Sequence, residues 1–160
     1  MEQKIVIQKV NQLDTASLML LVGESSYEGF RHVKRLVNDY EDGANKFDEP
    51  GEALFIAYQH DNIVGVCGLN RDPYSNNKDV GRARRLYVSP RARRSGIARM
   101  LMDSVVAEAT KHYKMLVLKT HNPIADAFYR SIGFSVDCDS ENNSHFLRLE
   151  RHTPSDVFTS

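Results

Sequence analysis

The chain has 160 residues, of which 41% are hydrophobic and 26% charged, a balance typical of one globular domain. Basic and acidic residues number 21 each, so the net charge is zero, which disfavours a general nucleic-acid binder. The apolar runs are far shorter than the roughly 20 residues that a membrane span needs, and no signal peptide is evident. The two cysteines and six histidines have no metal-ligand spacing. We therefore expect a cytoplasmic protein without a metal, a membrane anchor or a nucleic-acid partner.

Hydrophobic periodicity and turn residues predict strands and helices in the order βααβββαβαββ. The strands fall at about 4–10, 53–58, 63–69, 82–88, 115–118, 134–138 and 144–150. The helices fall at about 15–22, 27–40, 98–113 and 123–132. Gly23 is expected to end the first helix and Tyr27 to begin the second. Residues 152–160 hold little core material and predict a loose tail after a single domain at 1–151.

Residues 86–98 combine the end of a strand, a basic loop and the start of a long helix. The N–H groups of a first helical turn lack partners, and Gly96 would let an anion reach the backbone. Ser95 can cap the helix or bind a phosphate oxygen. Arginines crowd the same stretch at Arg91, Arg93, Arg94 and Arg99. The loop is therefore either an anion site or a basic cap on a core helix.

The stretch Arg93-Arg94-Ser95-Gly96-Ile97-Ala98 matches the pattern R/Q-x-x-G-x-G/A after an apolar strand. It resembles the acyl-CoA pyrophosphate loop of the GNAT N-acetyltransferase superfamily, and it lacks the Gly-Lys-Ser/Thr ending of a nucleotide P-loop. The resemblance implies that acetyl-CoA is the acyl donor. It implies a pyrophosphate held by the backbone N–H groups of Arg93, Arg94, Ser95, Gly96, Ile97 and Ala98. It also implies a pantetheine arm that pairs, like an added strand, with Leu86, Tyr87 and Val88.

A second stretch, 120–134, resembles the family segment N-x-x-A-x-x-[LF]-Y-x-x-x-G-F. The matching residues are Asn122, Ala125, Phe128, Tyr129, Gly133 and Phe134. Structural explanations exist too, because Asn122 can cap a helix and Tyr129 can be a core tyrosine. The resemblance implies that Asn122 also binds the pantetheine arm. It implies that the Tyr129 hydroxyl faces the CoA sulfur and stabilises the departing thiolate as a catalytic acid.

The order of elements is also that of the GNAT superfamily, so the resemblance covers nearly the whole chain. It implies an α/β (α+β) fold whose central mixed sheet carries helices on both faces and splays at the acyl-CoA cleft. The implied function is direct transfer of an acetyl group, in a ternary complex, to a primary amine of a small molecule or of a protein. The alternative is a non-catalytic acyl-CoA-binding regulator on the same fold.

The chain departs from the family at the usual general base, a glutamate early in the fourth strand. Arg82 or Ala83 holds that place, and no acid lies between Val80 and Val88. His121 follows the predicted fifth strand and is the candidate base, because an ordinary histidine pKa of about 6.5 suits proton removal near neutral pH.

The acceptor pocket implied by the fold lies across the cleft from CoA, between the first two helices and the strand ends. Its candidate residues are Tyr27, Glu28, Phe30 and Asp72. Their mixed character favours a small polar amine over a long basic peptide, which would need a broader acidic groove. Exposed strand edges of such a fold also make a homodimer an expectation.

Overall fold

The structure is a computed structural model that describes residues 4–150. Its strands are β1 Ile5–Lys9, β2 Ala53–Gln59, β3 Asn62–Arg71, β4 Val80–Val88, β5 Met115–Leu118, β6 Ser135–Val136 and β7 His145–Arg148. Its helices are α1 Met19–Tyr27, α2 His32–Asp42, α3 Ile97–Thr110 and α4 Pro123–Ser131. Short 3-10 turns precede α1 at Thr15–Leu18 and follow β4 at Pro90–Ala92. The predicted order of elements is confirmed.

One sheet contains the seven strands in the order β1-β2-β3-β4-β5-β7-β6. Neighbouring strands run antiparallel except β4 and β5, which are parallel and connected through α3. Antiparallel neighbours can be joined by a short turn, whereas the parallel pair needs a crossover, which α3 supplies. The predicted mixed sheet with helices on both faces is therefore confirmed.

Two apolar clusters fill the two faces of this sheet. Along β2 the side chains alternate, so that Phe55 and Ala57 face α3 while Leu54 and Ile56 face α1 and α2. The α3 face is packed by one side of that helix, namely Ile97, Leu101, Met102 and Val105. The opposite face is packed mainly by Leu18, Leu21, Val33, Leu36 and Val37. We call the two sides of the sheet the α3 face and the α2 face.

The sheet opens between β4 and β5. Their ladder joins only residues 80–82 to 115–117, and β4 continues to Val88 without β5 beside it. The pairing of β4 with β3 skips from Arg84 to Tyr87, so Arg85 and Leu86 form a bulge, where Arg85 has a φ of 64°. Because a bulge bends its strand and increases its twist, it helps to turn this end of β4 away from β5. The predicted splayed cleft is present.

Two predicted helix boundaries are wrong. α1 continues through Gly23 and ends at Tyr27, so Tyr27 does not begin the second helix. Ser25 is fully buried beyond the glycine, and this packing outweighs the weak helix propensity of Gly23. The chain turns instead at Gly29, whose φ of 87° suits glycine, and α2 begins at His32.

The C-terminal part of the sheet is smaller than the sequence predicts. β6 has 2 residues and β7 has 4, within the predicted segments 134–138 and 144–150. Between them lie polar turns, in which side chains of Asp137 and Ser140 accept bonds from backbone N–H groups. The predicted tail at 152–160 lies outside the described residues.

Candidate active site

The free side of β4 directs backbone groups into the opening. The Ser89 N–H donates to the Val64 carbonyl at 2.8 Å, so the backbone of Ser89 faces β3. Backbone groups alternate along an antiparallel strand, and those of Val88 therefore point away from β3, toward the opening. Tyr87 is paired with Val66 of β3, and the Val88 carbonyl accepts a bond from Arg93 at 3.2 Å. The backbone of Leu86 and the N–H of Val88 are left to pair with an extended ligand.

The loop between β4 and α3 presents a concave group of N–H donors. Arg94 and Gly96 have left-handed backbones, with φ of 67° and 77°, on either side of Ser95. Left-handed residues in such a loop turn successive N–H groups to one side and make an anion-binding concavity. Gly96 is the residue that precedes α3, and no side chain caps the helix, so Ser95 does not form the predicted cap. The first-turn N–H groups of α3 are thus available to a ligand.

Glycine at position 96 suits the left-handed backbone conformation there, and no neighbouring group is packed so closely that it would exclude a side chain. A Cβ built on Gly96 would meet no atom within 4 Å, while its φ of 77° is one that other residues rarely adopt. The neighbouring Arg94 and Ser95 are exposed. Open space, uncapped N–H groups and an exposed guanidinium therefore coincide at this helix end, as an anionic ligand needs.

Two glutamates, Glu24 of α1 and Glu28 directly after it, clamp the same loop. Glu28 accepts bonds from Arg93 at 2.8 and 2.5 Å and from the Tyr87 hydroxyl at 2.5 Å. Glu24 accepts a bond from Ser89 at 2.7 Å and two from Arg91 at 3.1 and 3.2 Å. The sequence analysis missed this clamp, although the four-residue spacing of the glutamates and the two-residue spacing of the arginines were its signal.

The Glu28 part of the clamp shifts the pKa values of its three members. Hydrogen bonds from Arg93 and Tyr87 hold the pKa of Glu28 below its usual range, and Glu28 in turn raises the pKa of Arg93. Burial and the same carboxylate raise the pKa of the Tyr87 phenol. The Arg93 side chain is thus committed to Glu28 and to the Val88 carbonyl, 3.2 Å from Nε. What Arg93 can offer a pyrophosphate is its backbone N–H.

Tyr129 lies on α4 where β4 and β5 separate. Its ring centroid is 5.7 Å from His145 of β7 and 5.6 Å from Phe134, and Cys67 of β3 belongs to the same buried cluster. Burial is the main cause that raises the pKa of this phenol, so it stays protonated near neutral pH. No described residue bonds to its hydroxyl, and that oxygen is not among the enclosed unpaired atoms. It can therefore donate a proton to a ligand.

Asn122 and His145 position α4. The Asn122 side chain accepts bonds from the N–H groups of Ile124 at 2.8 Å and Ala125 at 3.4 Å, so the predicted capping role is confirmed. His145 is 2% exposed and bridges Asp126, 2.7 Å from Nε2, to Ser144, 2.7 Å from Nδ1. These contacts fix α4, and with it Tyr129, beside the opening between β4 and β5.

Of the four predicted acceptor residues, Tyr27, Glu28 and Phe30 lie together at one end of β4, and Asp72 lies apart from them. Phe30 packs 6.3 Å from the Tyr87 ring, beside Glu28. Tyr27 is 94% exposed and lines a groove of about 500 Å³ along α1. Asp72 lies near the other end of β4, bonded by its N–H to the Val80 carbonyl, roughly 20 Å away along the strand.

The Asp72 carboxylate is also engaged. It is paired with Arg82 at 2.8 Å, both residues are 4% exposed, and Arg82 also bonds to Asn142 and Asn143 in the β6–β7 loop. Arg82, one of the two residues that can stand where the family has its glutamate, is thus held in a buried ion pair that fixes this loop against β4. Neither of its members is open to a substrate.

Two histidines lie near the opening. His121 is exposed after β5, next to Asn122. His32, which the sequence analysis missed, packs 5.5 Å from the Tyr87 ring, and its Nε2 is the one enclosed, unpaired side-chain polar atom in the described chain. Burial, Arg85 and Arg35 lower the pKa of His32, so it is neutral at physiological pH.

Within residues 4–150, no histidine, cysteine or acidic groups gather as a metal site. None of the helices in the same range has the length and apolar character needed to cross a membrane.

Comparisons with known proteins agree with this geometry. Residues 50–136 match the sequence family described as "Acetyltransferase (GNAT) domain". A protein of Exiguobacterium sp. 255-15 described as an acetyltransferase is 32% identical, with a TM-score of 0.81 over 91% of this chain and 93% of its own. A GNAT-family acetyltransferase of Staphylococcus aureus Mu50 shares the fold at 20% identity, with a TM-score of 0.72 over 92% of this chain and 100% of its own.

A more distant structural neighbour is from Salmonella typhimurium and contains acetyl-CoA. It is 14% identical, with a TM-score of 0.66 over 96% of this chain and 98% of its own, and therefore supports the fold. The family match covers more than half of the chain, and the Exiguobacterium protein is similar over nearly all of it. The chain therefore belongs to the GNAT acetyltransferase family.

Proposed function

We propose that this acetyltransferase moves an acetyl group from acetyl-CoA to a primary amine of a small molecule, by direct attack in a ternary complex. The observation that carries the proposal is the opening between β4 and β5. An unpaired strand edge, an uncapped helix N-terminus and a protonated phenol all face or border it. A protein amine is the second acceptor class.

The described residues fit acetyl-CoA. The pyrophosphate would be held by the concave group of N–H donors in the β4–α3 loop and by the first turn of α3. The donors would be the N–H groups of Arg93, Arg94, Ser95, Gly96, Ile97 and Ala98. The pantetheine arm would lie along Leu86 and Val88 and reach the amide of Asn122. Tyr87 supports this edge through its bond to Glu28 rather than by contact with the arm.

When bound, acetyl-CoA supplies a thioester whose carbonyl carbon an amine can attack while the thiolate leaves. The Val88 N–H points into the opening and would stabilise negative charge on the carbonyl oxygen. The Tyr129 hydroxyl, which burial keeps protonated by raising its pKa, would donate a hydrogen bond to the departing sulfur and stabilise the thiolate. Leu86 and Val88 pack with Tyr129 in one cluster and would exclude water there.

A base must take the proton that the amine loses. We retain His121 for this role because it is exposed at the end of β5, one residue before Asn122. Tyr27 and Phe30 remain our proposed acceptor contacts on the helical side. Glu28 acts through the clamp, and Asp72, which is buried against Arg82, is left out of the proposed contacts.

The test is calorimetric titration with acetyl-CoA, followed by thiol release with a panel of small amines and lysine peptides. We expect acetyl-CoA to bind and at least one small amine to release CoA faster than water does. Binding without thiol release for any amine would favour the non-catalytic regulator. The absence of acetyl-CoA binding would overturn the proposal. Light scattering and cell fractionation check the two remaining expectations, a homodimer and a cytoplasmic location.

A further inference from the structure

The α2 face of β4 carries arginines at positions 82, 84 and 85, and their partners differ. Arg82 is paired with Asp72 at 2.8 Å, and Arg85 lies 3.7 Å from Asp39 of α2. Arg84 is partly buried and forms no ion pair or side-chain hydrogen bond with any described residue. A charged group that loses part of its hydration without gaining a partner costs free energy, unless a ligand of opposite charge binds to it.

Arg84 lines a cavity of about 390 Å³, which we call the loop cavity. A volume of this size suits a small molecule. The cavity lies on the α2 face between β3, β4 and the loop at 43–52. The lining residues that matter here are Asn45, Lys46, Glu49, Glu52, Asn70 and Arg71.

The wall of the loop cavity is fixed before any ligand arrives. Asn45 and Asn70 exchange two amide hydrogen bonds of 2.9 and 3.0 Å, and Asn70 also donates to Glu52 at 2.7 Å. Phe47 is buried against Gly68, where a Cβ would come within 2.3 Å of its ring. These contacts hold the loop beside Arg84, whose side chain lines the cavity without an ion pair to the loop's acids among the described residues.

We propose that Arg84 binds the carboxylate of the amine acceptor, which makes the acceptor a small amino carboxylate, such as an amino acid. This inference rests on the proposed function, because it names the class of substrate for the same reaction. Arg84 immediately precedes the bulge of Arg85 and Leu86. The far end of the loop cavity reaches Arg71 and Pro73, at the start of β4, so the acceptor would bind at the Arg84 end and extend its amine along β4 toward the opening beside Leu86.

The charges around the loop cavity select a carboxylate over a phosphate. Its lining contributes three cationic side chains and three carboxylates, namely Lys46, Arg71, Arg84, Asp48, Glu49 and Glu52. Because the cations and carboxylates of the lining balance, a dianion would be repelled by the three acids more strongly than the single charge of a carboxylate. The planar fork of one guanidinium also fits the two oxygens of a carboxylate.

The experiment compares matched acceptors in the thiol-release assay at fixed acetyl-CoA. One series holds glycine, β-alanine, 4-aminobutyrate, 6-aminohexanoate and the common α-amino acids. The second holds the corresponding amides, which keep the amine and lack the charge. We expect kcat/KM to favour the best acid over its amide by at least about tenfold, in the range of a hydrogen bond to a charged group. The preferred length measures the reach from Arg84 to the reacting carbon.

Variants of Arg84 distinguish a contact with the acceptor's carboxylate from a general loss of activity. Arg84→Gln should raise KM for the acids about tenfold or more, with little change in kcat, in the KM for amides, or in acetyl-CoA affinity. Arg84→Lys should restore only part of the loss, since it keeps the charge without the fork. Arg148→Gln, on the exposed end of β7, is the matched control and should behave as the wild type.

The outcomes distinguish this proposal from the one on which it rests. Equal use of acids and amides, or equal loss of both in Arg84→Gln, would overturn the carboxylate site while the acetyltransferase stands. If neither series is acetylated, the carboxylate site is tested by calorimetry with the N-acetyl derivatives of both series. Binding of the N-acetyl acids but not of the N-acetyl amides, abolished by Arg84→Gln, supports the site, and any other result overturns it. Failure of acetyl-CoA itself to bind would overturn the proposed function instead.

Discussion

The two faces of β4 are built in different ways. On the α3 face, the proposed donor site uses consecutive residues, with backbone N–H groups from Arg93 to Ala98 and one strand edge. On the α2 face, the proposed acceptor site uses side chains from α1, the turn after it and β4, beside the loop at 43–52 and β3. The first is a property of local backbone conformation. The second exists only after distant segments have packed.

This difference has a consequence for how the two sites tolerate change. Most side chains in 93–98 can vary without removing an N–H group, whereas a change of Gly96 alters the backbone itself. On the proposed acceptor side, each charged or polar side chain would be a separate contact, so we expect single substitutions to change which amine is accepted. A common donor and a variable acceptor are what one fold needs to act on many substrates.

The most severe test of the donor side is Gly96→Asp. It forces a φ of 77° on a side-chain-bearing residue and places a carboxylate at the uncapped end of α3. We expect acetyl-CoA affinity to fall at least about 100-fold by calorimetry, because strain and charge repulsion act together. Gly43→Asp is the matched control, since Gly43 has a φ of 84° and equally open surroundings outside the cleft. Near-normal affinity in Gly96→Asp would mean that the pyrophosphate binds elsewhere.

Tyr129→Phe keeps the ring packed against Phe134 and removes the proton donor. We expect kcat to fall roughly 10- to 1,000-fold, the range of general-acid and oxyanion contributions, with acetyl-CoA affinity unchanged. Tyr113→Phe is the control, because that hydroxyl bonds to the Gly51 carbonyl at 2.7 Å, at the start of β4 rather than its open end. Unchanged turnover, with chemistry shown to be rate-limiting, would remove Tyr129 from the mechanism.

Glu28→Gln tests whether the two faces are linked through the clamp. The substitution weakens the bonds to Arg93 and Tyr87, and we expect acetyl-CoA affinity to fall by a few-fold up to about tenfold, as for a partly exposed ion pair. A double-mutant cycle with Arg93→Gln should show coupling. Additive effects in that cycle would show that the clamp does not act as a unit.

The same clamp should depend on pH with a definite sign. Because the folded protein holds the pKa of Glu28 below its unfolded value, the clamp is intact above that unfolded value and weakens as the pH falls through the lowered one. Acetyl-CoA affinity should therefore lose its dependence on Glu28 in acid, where wild type and Glu28→Gln converge.

The smallest effect is expected at the proposed base. His121→Ala should lower kcat/KM about fivefold near pH 6, where few amines are deprotonated, and hardly at all near pH 9. His32→Gln is the comparison, since that imidazole is enclosed beside Tyr87. A loss at low pH in His32→Gln alone would transfer the role to His32. Unaltered pH–rate profiles in both variants would leave water or the free amine as the proton acceptor.

The sequence by itself determined the order of elements, the mixed sheet and the position of the donor loop. These features depend on interactions between near neighbours: alternation marks strands, an apolar stripe marks α3, and Gly96 marks the left-handed residue before it. The cap by Asn122 was also readable, because capping joins a side chain to N–H groups two and three residues away.

Only the tertiary structure decided the rest. α1 runs past Gly23 because Ser25 packs in the interior, which outweighs a local propensity. Arg93 is bound by Glu28, and Asp72 is buried against Arg82, although the sequence marked them for ligands. The unpaired guanidinium of Arg84 lines a cavity whose loop wall is held by hydrogen bonds between Asn45 and Asn70, two residues that are far apart in the chain. Contacts between residues that are distant in the chain produce no periodic pattern in a single sequence. Those contacts decide which charged side chains are paired within the protein and which are left unpaired.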